Sequence, residues 1–421
     1  MLLQYLKSYE YRLYFLVCFT IVGLLSSRAV MSIGVVAMFT NILLEFALKP
    51  KEIKSNFKNY FQDKKLFSLG LIFWVSLLAL SYSAEKTIGL NFVINKLPLF
   101  VIPFAFSLVK DFPKKTYVFL LQYFVLAIFI SSFFVLVSYF SDYKNAAESL
   151  SKGKAIWVPF NHIRYSVMTV FAFITSLYLY LNSSKTEHSF LKTAFTFWNL
   201  FLAIYLFLFI HFLAVRSGWL VLYLSLLVWF VSYVFTSKKY KYLIFGFLLA
   251  IAIPYIAYQN VANIKNKVNY MKYDWEQFQQ NKIGSNSDSR RMVSYDIGLE
   301  LAKKYFPLGL GTGSIQSKMN EIYEVKYPEI IPEDRIAPHN QFLFTLIDLG
   351  LVGLFALIIA LFYPIVSLKN KRKNIFYILF WLIATTPLLF DISLEMQLGI
   401  TFFALFSSLI LKRISLSENN V

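Results

Sequence analysis

The stretch from Pro338 to Gly353 reads P-H-N-Q-F-L-F-T-L-I-D-L-G-L-V-G and opens an apolar segment that continues to residue 366. An ionisable side chain, His339, stands at its start, behind a proline that suits the first turn of a helix. A membrane span needs nothing so polar at its start, which makes His339 a candidate for chemistry. The alternative is a capped helix start, followed by Gly350 and Gly353 that let helices pack closely.

The composition around this stretch indicates an all-α, polytopic membrane protein. Of the 421 residues, 58% are hydrophobic, 19% are aromatic and only 15% are charged, and the mean hydropathy is +0.58. That is more apolar surface than a soluble core needs. The net charge of +18 does not indicate nucleic acid, because most Lys and Arg lie in short loops between apolar segments.

Apolar runs of about 17 to 25 residues predict transmembrane helices. The sequence contains about twelve of them, and we expect a single transmembrane domain over residues 1–421. The predicted spans are 13–28, 30–48, 66–83, 92–109, 117–140, 163–182, 191–213, 216–236, 241–260, 340–366, 374–391 and 396–412.

The orientation follows from the basic residues of the short connections, which favour the cytoplasmic side. One set of connections, which includes both termini, holds 22 Lys and Arg, and the alternate set holds 8. Both termini are therefore predicted to be cytoplasmic. The long segment 261–338, between the ninth and tenth spans, is predicted to be a large, partly helical extracytoplasmic loop.

Three features of this loop can be anticipated. A stripe at helical spacing predicts a helix that lies on the bilayer surface or packs on the spans (Val261, Ile264, Val268, Met271, Trp275 and Phe278). The run Ser287-Asp288-Ser289 suits the N-cap of a helix over about 289–305, and Arg290 and Arg291 lie near the start of that helix. The G-L-G-T-G run from Gly309 to Gly313 follows no strand, so we interpret it as a backbone turn that can approach a substrate, not as a nucleotide site.

The chain resembles the bacterial O-antigen ligase and O-antigen polymerase family in the His339-Asn340 pair followed by Gly350 and Gly353. Weaker similarities are Arg216 with Leu220, and the Arg290/Arg291 helix that runs into Gly309-x-Gly311. The resemblance implies a glycosyltransferase of the inner membrane that acts on its periplasmic face. The donor would be an undecaprenyl-diphosphate-linked glycan, and the acceptor a hydroxyl of lipid A-core, of a similar molecule or of a growing glycan. A polymerase that uses the same donor, and a polysaccharide transporter or flippase, remain alternatives.

Cationic side chains collect at the predicted outer face and suit this chemistry, because Arg binds phosphate with a planar fork of donors and keeps its charge. Arg216, Arg290, Arg291 and Arg164 are the predicted diphosphate-binding residues, and Arg216 and His339 the predicted catalytic ones. His162, Asn340 and Gly311 are possible supporting residues. For each Arg the alternative is an interfacial anchor that reaches toward lipid headgroups, and that alternative is favoured for Arg335 and Arg28.

The neutral imidazole of His339 either accepts the proton of the acceptor hydroxyl or only positions a phosphate or acceptor oxygen. No cofactor and no metal are expected, because Cys18 is the only cysteine, no H-x-x-x-H pair is present and the early outer loops lack an acidic pair.

The remaining ionisable groups are predicted to have no catalytic part. Asp348, inside the tenth span, is interpreted as a polar packing contact, and the alternative is that it orients an Arg. Asp391 and Glu395 are expected to be solvated at the last outer turn, and His188 and His211 to have no chemical partners.

Overall fold

The computed structural model describes residues 8–145, 156–183, 190–242 and 287–419, with isolated positions between 252 and 279. These residues form helices and turns and contain no strand, which confirms the all-α prediction. The helices are α1 (Tyr9–Ser26), α2 (Arg28–Leu48), α3 (Ile53–Gln62), α4 (Lys64–Leu69), α5 (Leu71–Ala79), α6 (Lys86–Lys96), α7 (Pro98–Ser107), α8 (Lys114–Ser141), α9 (His162–Leu181), α10 (Phe190–Leu213), α11 (Arg216–Ser237), α12 (Ser287–Lys304), α13 (Ile315–Lys326), α14 (Gln341–Val366), α15 (Ile375–Thr385) and α16 (Gln397–Asn419).

Within the described residues, nine helical segments are long and apolar enough to cross a membrane, and α6 and α7 together form one of them. Three of the twelve predicted spans are not among the nine. The predicted span 66–83 is divided at Gly70 into the short helices α4 and α5. The predicted span 374–391 appears as a shorter apolar helix, Ile375–Leu389. The predicted span 241–260 falls largely outside the described residues.

The two ends of the bundle are identified by contacts between helix termini. At one end, Lys65 pairs with Glu418 at 2.8 Å and Arg12 pairs with Glu45 at 3.0 Å. At the other end, which we call the site end, helices α9, α11 and α14 begin. Gly218, in the first turn of α11, packs so closely on α9 that a Cβ atom there would lie 2.9 Å from the Cβ of Ser166.

The segment 287–338 forms a small helical layer over the start of α14. The predicted helix 289–305 is confirmed as α12, whose buried side chains Val293, Ile297 and Leu301 recur every fourth residue. They share a core with residues of α13 and with Phe344 of α14. The predicted apolar stripe between Val261 and Phe278 lies outside the described residues.

Helix α14 is broken at Gly350, where φ is 65° and ψ is −159°. The break is filled by backbone from the segment before α14: the amides of Leu310 and Gly311 donate to Ile347 O and Asp348 O at 2.8 and 2.9 Å. The amide of Leu351 donates in turn to Pro307 O at 2.8 Å. Gly350 is therefore needed for its backbone conformation, not only for close helix packing.

The glycine-rich run is consequently packed against the membrane helices. A Cβ atom on Gly311 would lie 2.8 Å from the Cα of Ser83, and one on Gly313 would lie 2.5 Å from the amide nitrogen of Gly89. Both glycines have positive φ angles, 83° and 96°, which other residues rarely adopt. Gly311 thus contributes to the fold beneath the site end through backbone contact with the α5–α6 connection.

We expect Gly350→Ala to destabilise the folded protein strongly. The backbone conformation at Gly350 is essentially restricted to glycine and costs other residues about 1–3 kcal/mol. A Cβ atom would in addition lie 2.2 Å from Pro307 O. Thermal unfolding in detergent should show a lowered transition temperature or a loss of monodisperse protein. The control is Val352→Ala in the same helix. The side chain of Val352 is 63% exposed, so its truncation should lower the free energy of unfolding by no more than about 0.5 kcal/mol. Equal destabilisation by the two substitutions would contradict the prediction.

Candidate functional site

His339 and Asn340 lie against the turn that follows α15. The Nδ1 atom of His339 is 3.9 Å from Oδ1 of Asp391. The side chain of Asn340 caps α14, where its oxygen accepts the amide of Leu343 at 3.0 Å, and its nitrogen donates to Leu389 O at 3.1 Å. Asn340 therefore fixes the start of α14 and one end of the opposing turn.

Gln341 holds the other end of the same turn. Its side-chain oxygen accepts the amide of Leu394 at 3.0 Å, and its side-chain nitrogen donates to Oε1 of Glu395 at 2.8 Å. Glu395 also forms an ion pair with Lys96, in which Oε2 and Nζ are 2.6 Å apart. The angles at these two atoms are not those of a hydrogen bond. Three consecutive side chains, from His339 to Gln341, thus face one turn.

Asp391 and Glu395 are buried, which makes the expectation that both are solvated wrong. Asp391 is 2% exposed and Glu395 is 3% exposed. Each of them faces a buried cation, Arg164 or Lys96. A buried carboxylate requires such a partner, because removing it from water is otherwise too costly.

Arg164, which lies in the first turn of α9, forms an ion pair with Asp391. Its Nη2 atom donates to the two carboxylate oxygens at 3.2 and 3.5 Å. The hydroxyl of Ser393 donates to the same carboxylate at 2.5 Å. The amide of Arg164 is capped by the side chain of Asn161 at 3.3 Å, which fixes the direction of the helix start. Arg164 thus lies beside His339, as the prediction of a common site requires.

A small cavity of about 20 Å³ adjoins Arg164 and is lined also by Pro387, Ser393 and Phe402. Its volume suits about one water molecule and is too small for a sugar. The Nε atom of Arg164 is buried and has no hydrogen-bond partner among the described residues. A water molecule in this cavity can hydrate the rear of the guanidinium group.

Helix α12 brings Arg291 toward His339. The hydroxyl of Tyr295, one turn further along α12, donates to the carbonyl oxygen of His339 at 3.0 Å. The positive charge of Arg291 acts on the His339 imidazole. Arg290 lies in an ion pair with Asp334. Of the two arginines between which the sequence left a choice, Arg291 is the one whose charge acts on His339.

The surroundings of His339 lower the pKa of its imidazole below the ordinary value of 6.5. Burial is the main cause, and the positive charges of Arg291 and Arg164 act in the same direction, while the carboxylate of Asp391 opposes them. At neutral pH the ring is therefore uncharged. Its Nδ1 atom is buried without a hydrogen-bond partner in the described part of the chain, so the side chain has unused capacity for a proton or a ligand.

Arg216 is the first residue of α11, and its side chain is exposed at the site end. The turn before it contains Ala214, with a φ angle of 51°. Gly218 lies two residues after Arg216 in α11, and Ser166 lies two residues after Arg164 in α9. Gly218 packs on Ser166. The first turns of α11 and α9 therefore lie side by side. His162, at the start of α9, is also exposed at this end.

Other residues singled out in the sequence have structural contacts. The guanidinium group of Arg335 donates to Ile330 O at 3.1 Å and to Glu324 at 3.2 Å, within the segment 287–338. Arg28 is exposed at the start of α2. Asp348 accepts the amide of Gly313 at 3.1 Å, which confirms its interpretation as a packing contact.

His211 has two close partners, so the expectation that it has none is wrong. Its Nδ1 and Nε2 atoms lie 2.8 Å from Phe207 O and from the hydroxyl of Tyr223. The imidazole therefore joins α10 to α11 within the bundle. His188 lies outside the described residues. In the regions that the structure describes, no three His, Cys, Asp or Glu side chains cluster as a metal site would require.

Comparison with known proteins gives one family match. Residues 201–358 match the model of a family described as O-antigen ligase. The matched stretch contains Arg216, the two arginines of α12 and the sequence from His339 to Gly353, whereas Lys96, Arg164 and the turn at Asp391 lie outside it. None of the curated proteins compared with the chain matches it. The resemblance to the O-antigen ligase family, first indicated by His339 and its neighbours, is thereby confirmed over residues 201–358.

Proposed function

We propose that this protein transfers a glycan from undecaprenyl diphosphate to a hydroxyl group of lipid A-core or a similar acceptor. The family match and the apolar helices support a glycan-transferring membrane enzyme in general terms. One observation carries the finer proposal: an uncharged, half-buried His339 lies beside Arg164, Arg291 and Asp391 at one end of the bundle. This arrangement combines a proton acceptor with groups that bind phosphate.

The arginines would bind the diphosphate of the donor. As the bond between the anomeric carbon and the diphosphate oxygen breaks, negative charge grows on the leaving undecaprenyl diphosphate. Guanidinium groups stabilise that charge with fixed donors. The charges of Arg291 and Arg164 both act on His339, and the exposed Arg216 would meet the headgroup as it arrives. Arg290 would contribute only by exchanging Asp334 for phosphate.

His339 would accept the proton of the acceptor hydroxyl while the acceptor oxygen forms its bond to the anomeric carbon. The resulting imidazolium is stabilised by the Asp391 carboxylate, 3.9 Å away. The proton then passes to solvent or to the departing diphosphate. The other role considered for His339, which is to position a phosphate oxygen, would require the same location but no proton transfer.

The orientation of the protein is part of the proposal. The distribution of Lys and Arg in the short connections supports cytoplasmic termini, with the site end facing the periplasm of a bacterial inner membrane. The whole chain would then be one transmembrane domain. Residues 261–338 would form its periplasmic loop, with α12 and α13 covering the start of α14.

The glycolipids of a deletion strain test this function. If the protein is a ligase, lipid A-core without any attached glycan should accumulate together with the lipid-linked donor. Core that carries a single repeat unit would instead identify a polymerase that uses the same donor. A normal set of glycolipids on the outer face would exclude both activities, and donor that remains on the cytoplasmic face would identify a flippase.

We predict that transfer by the purified protein in lipid is independent of divalent metal. The arginines supply the positive charge that a metal ion supplies in other transferases. Addition of a chelator should therefore change the initial rate by less than about twofold. Strong inhibition that manganese or magnesium reverses would contradict the prediction and would place the diphosphate on a metal ion.

A further inference from the structure

A buried ion pair lies behind the site and is used by no step of the proposed reaction. Lys96 is 0% exposed and Glu395 is 3% exposed, and their charged atoms are 2.6 Å apart. Lys96 ends α6 inside an apolar span, next to the ring of Phe92. A lysine in such surroundings is costly unless its charge is paired, so the position of Glu395 is set by that of Lys96.

The pair is connected to Asp391 through one short turn. Glu395 ends the turn Ser393–Glu395, which begins two residues after Asp391. Gln341 binds both Glu395 and the amide of Leu394. The hydroxyl of Ser393 donates to the Asp391 carboxylate at 2.5 Å. A displacement of Glu395 therefore moves the residues that hold Asp391.

The turn has little freedom to compensate for such a displacement. A Cβ atom on Gly399 would lie 2.2 Å from Ser393 O, so the turn rests directly on the first turn of α16. Asn340 holds the preceding carbonyl of Leu389. Lys96 adds a charged contact at the Glu395 end of this turn, as Arg164 does at Asp391.

We propose that Lys96 is a positioning residue that, by pairing with Glu395, holds the turn at Ser393–Glu395 so that Asp391 faces both His339 and Arg164. This role goes beyond the proposed transfer reaction. Only the part of its test that measures the rate of transfer rests on the proposed function. Lys96 itself touches neither donor nor acceptor. It acts through Glu395, Gln341 and the turn.

The titration of His339 reports the position of Asp391. The charged groups that face His339 are Arg291 from α12, Arg164 from α9 and Asp391 from the turn. Asp391 is the only one of these that favours the imidazolium, so a turn that moves away from His339 lowers the pKa of the imidazole further. The chain has four histidines. In the NMR spectrum of protein labelled on the imidazole rings, the signal that is lost in His339→Gln is that of His339.

The experiment compares K96M, E395Q and the double variant K96M/E395Q in detergent, with D391N as a reference for complete loss of the carboxylate. Each single variant removes one charge of the pair, and the midpoint of the His339 titration should fall in both by about 0.5 to 1 pH unit. The double variant removes both charges of the pair and keeps an oxygen for Gln341, so its midpoint should return toward that of the unmodified protein. Transfer at pH 7.5 should fall about three- to tenfold in the single variants and recover in the double variant.

The sign of the shift separates positioning from a long-range electric field. If the charges acted directly on His339, K96M would raise the midpoint and E395Q would lower it. Opposite shifts, or no shift in either single variant, would overturn the proposal. Where a single variant yields no folded protein, K96R or E395D takes its place. Each retains the charge but moves it, and each should lower the midpoint; an unchanged midpoint in these variants would also overturn the proposal.

The matched control is the ion pair of Arg12 and Glu45 at the opposite end of the bundle, with side chains 13% and 8% exposed. R12M and E45Q should lower the unfolding temperature without moving the His339 midpoint. The NMR measurement needs no substrate, so the two proposals can fail separately. A lowered midpoint in an otherwise inactive protein would refute only the transferase function, and an active protein with an unmoved midpoint would refute only the positioning role.

Discussion

Replacing His339 by alanine is expected to lower the rate of glycan transfer by about two to four orders of magnitude, the scale of general-base catalysis. Donor binding should be spared, because the imidazole acts on the acceptor hydroxyl. The variant should also lose the rise of activity with pH that the unmodified protein shows as His339 gives up its proton. Since the surroundings of His339 lower its pKa below 6.5, that rise should lie below pH 6.5, and not around it as the ordinary value would suggest.

Values of kcat/KM for the donor, measured between about pH 4.5 and 8, check this prediction, because kcat/KM reports the pKa of the free protein. The control is His211→Gln, because both nitrogens of His211 are bonded between α10 and α11; this variant should keep the pH profile. If His339→Ala retains the rise, or if it weakens donor binding as strongly as loss of an arginine does, His339 positions phosphate and the base is another group.

Replacing Arg216 by alanine is expected to reduce kcat/KM by about two to three orders of magnitude, as removal of a donor to a developing oxyanion does. Donor binding should weaken by about tenfold or more, because a charge-assisted hydrogen bond is lost. Arg216→Lys should recover only part of both quantities, since a point charge does not replace a planar fork. The exposed position of Arg216 at the start of α11 is the reason to expect an effect on binding as well as on rate.

The matched control is Arg335→Ala. The guanidinium group of Arg335 is engaged by Glu324 and Ile330 within the segment 287–338. Its loss removes the same charge from the same end of the bundle, so it should change donor affinity by less than about threefold at physiological salt. Equal losses of donor affinity in Arg216→Ala and Arg335→Ala would show that Arg216 acts only through the overall positive charge at this end of the bundle.

The spans could be predicted where one apolar run forms one helix, as in α8 and α11. The prediction of one span over 66–83 was wrong, because composition does not show that a helix ends at Gly70. It also does not show that Tyr60 packs against Gly70, where a Cβ atom would lie 2.9 Å from the Tyr60 hydroxyl. The break in α14 was missed for a related reason. The sequence shows Gly350, but it does not show that the backbone at Pro307 comes to meet it.

The sequence located His339, Arg164 and the arginines of α12, because each is a polar residue at the start of a helix. It placed Asp391 and Glu395 wrongly, because a polar turn between two apolar runs is normally solvated. Their partners are distant in sequence: Arg164 and Asp391 are separated by 227 positions. Two local signals were available but were not used, Lys96 inside an apolar run and Gln341 directly after the His-Asn pair.

The break at Gly350 also constrains how the protein is assembled. The carbonyl groups of Ile347 and Asp348 are bonded to amides of Leu310 and Gly311, and lipid offers no substitute for such partners. The ribosome makes residues 307–311 before α14, so this segment is already available when α14 enters the bilayer. The hydrogen bonding of α14 is therefore complete only after that segment has folded back onto it, and a shortened chain that begins after residue 311 would leave these carbonyls without those amide partners.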